Sequence, residues 1–165
     1  MIAAASWLLL AGSIALTWQY RNRMQTAETE KENTRNQLLA LQSENNYMKQ
    51  DMQVVQSKYS EPVYLKGLEA APDAAAKIFW MKNTGEVYID PSNLPETPQG
   101  MQYQLWAIVD GQPVDAGMII TTQANKKYRI QKMKSFGKVD AFAVTLETAG
   151  GNPTPKGAMF VMGKM

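Results

Sequence analysis

The sequence predicts a mainly β fold, an antiparallel β-sandwich of Greek-key-like connectivity, preceded by a transmembrane helix and a long coiled-coil helix. Three observations predict it. No charged residue occurs between Ile2 and Trp18, neither glycine nor proline occurs between residues 20 and 60, and from Glu61-Pro62 onward the apolar pattern shifts to a period of two. The chain therefore divides into 1–19, a membrane span, 20–60, a stalk, and 61–165, a β domain.

In the first stretch, Trp7, Leu8, Leu9, Leu10, Ile14, Ala15 and Leu16 supply apolar surface at the lower end of the roughly 17–25 residues that cross a bilayer core. Trp18 and Tyr20 stand where an interfacial aromatic belt would lie, and Arg21 and Arg23 end the run. A secretory signal peptide would carry a basic leading region and a small-residue cleavage site; neither is present. Arg21, Arg23, Lys31 and Arg35 all follow the span, and the positive-inside rule alone would leave the rest of the chain in the cytoplasm.

Residues 20–60 are rich in Glu, Gln, Lys, Arg, Asn and Met, mostly good helix formers. With Leu38 at position a, the series Leu38, Leu41, Asn45, Met48, Met52, Val55, Tyr59 alternates steps of three and four, the seam of a left-handed coiled coil. Asn45 at an a position is a register-setting device. Arg23 and Glu28, Glu30 and Arg35, and Glu44 and Lys49 fall as g followed by the next e, attractive pairs in a parallel homodimer. Upstream, Lys31 and Thr34 weaken the seam.

In the β domain, strands are expected over residues 63–68, 77–81, 86–90, 101–109, 114–120, 127–132, 140–147 and 158–162. Asn83-Thr84-Gly85 marks a short turn, and 91–100 a prolyl loop. Asp110-Gly111 favours positive φ at both positions and predicts a tight hairpin. Tyr103, Leu105, Ala107 and Val109 alternate with Gln102, Gln104, Trp106 and Ile108; the second face is only partly polar, so this strand is central and covered on both sides. Phe79, Trp80, Tyr88, Tyr103, Trp106 and Phe142 are expected in the core.

Three motifs stand out: Tyr103-Gln104-Leu105-Trp106, then Asp115-Ala116-Gly117, then Val144-Thr145-Leu146-Glu147 running into Gly150-Gly151-Asn152-Pro153. With Val87-Tyr88-Ile89-Asp90 and Asn93-Leu94-Pro95 before them, residues 65–165 closely resemble the C-terminal extracytoplasmic domain of anti-sigma-K factors, the RskA-type membrane regulators. The resemblance implies an anti-sigma factor that holds an extracytoplasmic-function sigma factor inactive until proteases, one outside the membrane (a site-1 type) and one within it, release it. It also implies an inner-membrane, single-pass protein whose C-terminal domain is extracytoplasmic (periplasmic), opposite to the positive-inside reading. The sigma-binding N-terminal domain of such regulators has no counterpart here, and an expectation of truncation upstream of Met1 reconciles the two orientations. The motif residues Tyr103, Gln104, Leu105, Trp106, Asp115, Ala116, Gly117, Val144, Thr145, Leu146, Glu147, Gly150, Gly151 and Pro153 are expected to be structural.

Composition narrows the chemistry. At 165 residues with 45% apolar content, the chain holds one modest domain plus appendages. Net charge is only +2, which argues against a nucleic-acid partner. Cysteine and histidine are both absent, removing the usual zinc sites and thiol or imidazole catalysis. Asp90, Asp110, Asp115, Asp140 and Glu147 remain as carboxylates, but four of them lie at turns or strand ends, where Asp is favoured for backbone hydrogen bonding alone. Gly150-Gly151 is followed by Asn-Pro and is no phosphate loop. No catalytic residue, cofactor or metal is expected. Lys126, Lys127, Arg129, Lys132, Lys134 and Lys138 form a basic run without an acid among them, either a polyanion-facing surface or the solvated face of an edge strand with Tyr128 and Ile130 turned inward. A different reading of the whole chain is an envelope scaffolding module that pairs through its coiled coil.

Overall fold

The computed structural model describes residues 2–121 and 130–165, with side chains described from residue 12 onward. Two compact units result, Met1–Lys49 and Gln50–Met165. Among the described residues the elements in chain order are one helix, α1 (Ile2–Gln56), and eight strands: β1 (Ser60–Gly67), β2 (Ala75–Met81), β3 (Val87–Asn93), β4 (Met101–Val109), β5 (Gln112–Ile119), β6 (Gln131–Lys132), β7 (Ala141–Thr148) and β8 (Met159–Lys164).

All strands belong to one antiparallel sheet in the order β5-β4-β7-β8-β1-β2-β3-β6. The two ends of this order meet. Lys134 N donates to Ala116 O of β5 at 3.0 Å, and the Gln131 side-chain amide brackets Ile120, accepting from its N and donating to its O, both at 2.8 Å. The sheet is thus nearly closed and barrel-like. This corrects the expected two-sheet, Greek-key-like sandwich: period-two alternation fixes which side chains face inward, but not which strands pair, and closure removes the open edges that a sandwich leaves.

The strands form where sequence chemistry requires. Asp110 (φ 49°) and Gly111 (φ 77°) both take positive φ, joining β4 to β5 by a two-residue turn with Val109 opposite Gln112. Between β2 and β3, Gly85 (φ 72°) turns the chain, and a Cβ there would lie 2.7 Å from Phe136 O. The interior is filled from successive strands by Leu65, Ile78, Val87 and Ile89, Tyr103, Leu105 and Ala107, Phe142 and Val144, and Val161, all essentially without solvent contact. Burial of each large apolar side chain contributes about 1.5–3 kcal/mol. Phe79 and Phe142 are buried as expected, whereas Trp80 and Tyr88 are half-buried.

The expected strand over 127–132 is described only from Ile130, and β6 is Gln131–Lys132; Lys126, Lys127, Tyr128 and Arg129 lie outside the described residues.

The helix departs from expectation in two respects. It runs unbroken from Ile2 to Gln56, with no boundary at residue 19, and ends four residues before the expected stalk end at 60, where Ser60 N bonds Ser57 O and β1 begins. The transmembrane helix expected over 1–19 is not supported: among the described residues no helix is long and apolar enough to cross a membrane. From Arg21 onward the sequence is too polar for it, and Trp7 to Leu10 fall where side chains lie outside the description. The seam residues Leu38, Leu41, Asn45, Met48, Met52 and Val55 are exposed on the single helix, and one chain by itself displays no coiled coil.

Candidate functional site

Strands β4 and β7 are buried along both faces, which one interior core does not by itself explain. Tyr103, Leu105 and Ala107 stand opposite Leu146, Val144 and Phe142 and face inward. Gln104 stands opposite Thr145, Trp106 opposite Ala143 and Gln102 opposite Glu147, on the outer face. The segment that follows β7 returns over this outer face. Trp106, expected in the core, is fully buried but beneath this cover, because alternation along β4 turns it away from Leu105 and Ala107.

Glu147, at 1% exposure, is the centre of the cover. Its Oε1 accepts from Thr145 Oγ1 at 2.6 Å, Gly157 N at 3.0 Å and Lys156 N at 3.1 Å; its Oε2 accepts from Asn152 Nδ2 at 2.7 Å and Gly157 N at 3.1 Å. The Thr145 hydroxyl is in turn the acceptor for Trp106 Nε1 at 2.8 Å, which satisfies the buried indole. Burial pushes the Glu147 carboxyl up, but the Thr145 hydroxyl, the Gly157 and Lys156 amides and the Asn152 side chain outweigh it and hold the pKa below its ordinary value of 4.5.

Asn152 carries the network onward. Its backbone N donates to Gln104 Oε1 at 2.9 Å and its O accepts from Gln104 Nε2 at 3.0 Å. The same Nε2 donates to Asp115 Oδ1 at 2.7 Å. Asp115 Oδ1 also accepts from Gly117 N at 3.0 Å, and Oδ2 pairs with Lys134. Burial raises the Asp115 pKa, and the Lys134 ammonium, the Gln104 amide and the Gly117 N–H bring it below the ordinary value.

The geometry explains each motif. Leu105 pairs with Gly117 but Trp106 pairs with Asp115, so Ala116 is the extra, fully buried residue of a β-bulge, and Gly117 takes φ 116°, which L side chains rarely adopt. At Gly151 (φ 77°), a Cβ would lie 2.6 Å from Met118 Sδ and 2.8 Å from Gln104 Oε1. Gly157 presses harder: its Cβ would lie 1.7 Å from Leu146 O. Gly150 takes φ 95° in the exposed turn, and Pro153 is exposed beside Asn152.

Of the residues singled out in the sequence, Gln104, Trp106, Asp115, Gly117, Thr145 and Glu147 therefore meet in one hydrogen-bonded fastener, Gly151 packs closely against Gln104, and Tyr103, Leu105, Ala116, Val144 and Leu146 pack beneath it. The helical seam residues, Leu38 to Val55, belong to α1 and take no part in these bonds. Sequence reasoning missed Asn152, Lys134 and the Lys156-Gly157 amides. Asn152 occupied the open position of the Gly-Gly-x-Pro motif; an amide between two turn glycines and a proline was the available signal.

The remaining carboxylates are employed locally. Asp90 Oδ1 accepts from Ser92 N at 3.0 Å, Asp140 Oδ2 from Gly111 N at 3.3 Å, and Asp110 pairs with Lys138 at 2.9 Å. Among the described residues no group of three or more metal-ligating side chains converges. The basic run is partly neutralised, since Lys132 pairs with Glu86, Lys134 with Asp115 and Lys138 with Asp110. The Lys132 partner keeps the Glu86 carboxyl below its ordinary pKa, and burial raises that of Tyr88 beside it.

Fold and site together define a small barrel-like β domain, preceded by a long helix and fastened along one outer face by a polar network. The chain belongs to the family of the anti-sigma-K factor rskA, C-terminal domain, which matches residues 1–159. Membership supports an anti-sigma factor role and implies a sigma factor as partner. No curated protein and no solved structure matches the chain.

Proposed function

We propose that the chain is the sensory, gating part of a membrane-anchored anti-sigma factor, with the β domain outside the cytoplasm and its work done by binding and shielding, not by catalysis. Family membership over residues 1–159 supports this reading above all. Anchoring rests on the charge-free stretch from Ile2 to Trp18. Control runs through proteolysis: the folded β domain limits access of a first protease to the segment near residues 19–35, and a second, intramembrane cleavage then frees the sigma factor held by a preceding cytoplasmic domain.

The fastener gives such a gate a physical setting. It holds the segment after β7 through a few polar bonds, so loss of one partner leaves buried donors and acceptors unsatisfied and loosens the domain cooperatively. In cells making the full chain, Trp106→Ala is expected to increase cleavage within residues 19–35, read by immunoblot and mass spectrometry of the fragments. Unchanged cleavage of a demonstrably unfolded variant rejects the gate. Recovery of the chain from the non-membrane fraction rejects the anchor.

A further inference from the structure

We propose that α1 pairs with α1 of a second copy of this chain, in parallel and in one register fixed by Asn45 and by the charges flanking the seam. Leu38, Leu41, Met48, Met52 and Val55 are 54%, 64%, 56%, 52% and 46% exposed, an unusual condition for large apolar side chains at strict three-four spacing. Where the end of the helix belongs to the β-containing unit, it is Asp51, Val54 and Ser57 that are half-buried, while Met52 and Val55 remain exposed. Within residues 50–57 the seam positions and the half-buried positions are thus different stripes of the helix.

Charge selects the partner and the alignment. In a parallel pair each g residue faces the next e residue of the other copy, which sets Arg23 against Glu28, Glu30 against Arg35, Gln37 against Gln42, Glu44 against Lys49 and Asp51 against Gln56. Every charged pair is attractive or meets a neutral amide. A slip of one heptad places Arg23 opposite Arg35 and Glu28 opposite Glu30 of the second copy, both repulsive, and sets Asn45 against Met52, leaving a buried amide unpaired. An antiparallel pair layers a against d, so Asn45 again meets an apolar residue. Only the parallel, unslipped pair lets Asn45 bond its own counterpart.

The chain contains no cysteine, so single cysteines report the pairing cleanly. In cells producing the full chain, mild oxidation is expected to convert the Leu41→Cys variant, at position d, almost wholly to a disulfide dimer, while Ser43→Cys, at outward position f, stays at background. Coexpressed Leu41→Cys and Met48→Cys copies should give homodisulfides but no 41–48 heterodisulfide. Equal cross-linking at 41 and 43 overturns the interface, and abundant 41–48 product overturns the register. As a measurement that leaves the apolar seam intact, Glu44→Lys alone and Lys49→Glu alone should each weaken self-association about tenfold, and mixing the two should restore it as a heterodimer. Unaltered association of both single variants, or no restoration on mixing, also overturns the proposal.

Discussion

Helix α1 and the β domain use similar apolar residues to opposite ends. Leu38, Leu41, Met48, Met52 and Val55 lie exposed on the helix, whereas Leu65, Leu105, Val87, Val144 and Val161 are sealed within the sheet. The helix satisfies its backbone by bonds to residues four positions away and needs no other element to be regular. The sheet satisfies its backbone only through partners far along the chain, such as Gln104 with Thr145 and Lys66 with Met162. One region is therefore specified locally and leaves its apolar seam uncovered; the other is specified by long-range pairing and seals its core.

The two regions also put polar groups to two uses. Apart from half-buried Asp51, the charges on α1 stand in solvent, where each pair contributes about 0.3–0.5 kcal/mol. Glu147 is buried among donors supplied by Thr145, Asn152, Lys156 and Gly157, and such a group is costly to disturb because each lost partner is left dry.

The largest test of this contrast is Trp106→Ala, which removes a fully buried indole and the donor that the Thr145 hydroxyl accepts from; urea unfolding of the β domain should register a loss of about 3–5 kcal/mol. A loss under 1 kcal/mol would mean that the outer cover contributes little. Next comes Gly157→Ala, whose Cβ cannot coexist with Leu146 O 1.7 Å away; a destabilisation of about 1–3 kcal/mol is expected by the same measurement, and a neutral result would break the account of the 149–158 segment.

Glu147→Gln should cost about 1.5–3 kcal/mol at neutral pH by weakening the charge-assisted bonds. It should also change the pH profile. The folded-state pKa of Glu147 is depressed, so its contribution is complete above the ordinary carboxylate value of 4.5 and is lost as pH falls through the lower folded value. The unsubstituted chain should therefore lose more stability below pH 4.5 than the Gln variant, as thermal melts across that window will record. The smallest effect belongs to the helix: Leu41→Ala, at a residue 64% exposed in the single chain, should shift β-domain unfolding by less than about 0.5 kcal/mol while reducing self-association. A large shift in β-domain stability would break the separation drawn between the two regions.

Much of this was legible in the residues. The Asp110-Gly111 turn, the double burial of β4 and the helix without glycine or proline follow from local chemistry, and the motifs carried the family. Within the site, Asp115-Ala116-Gly117 read as part of a strand over 114–120, yet its bulge emerges only when Leu105 and Trp106 are set against it. Asn152 was invisible as a hub because both halves of its role lie on strands 48 and 5 residues away.

By itself the sequence determined where helix gives way to strand, which side chains alternate inward and which heptad positions are apolar, since these depend on neighbours within a few positions. Tertiary structure alone decided that the strands close into one barrel-like sheet instead of two, that Trp106 is buried on the outer face, and that Glu147 is held ionised by hydroxyl and amide donors. Those outcomes depend on which distant backbones meet, and Lys134 reaching β5 and Gln131 reaching Ile120 just beyond it are contacts that no local pattern encodes.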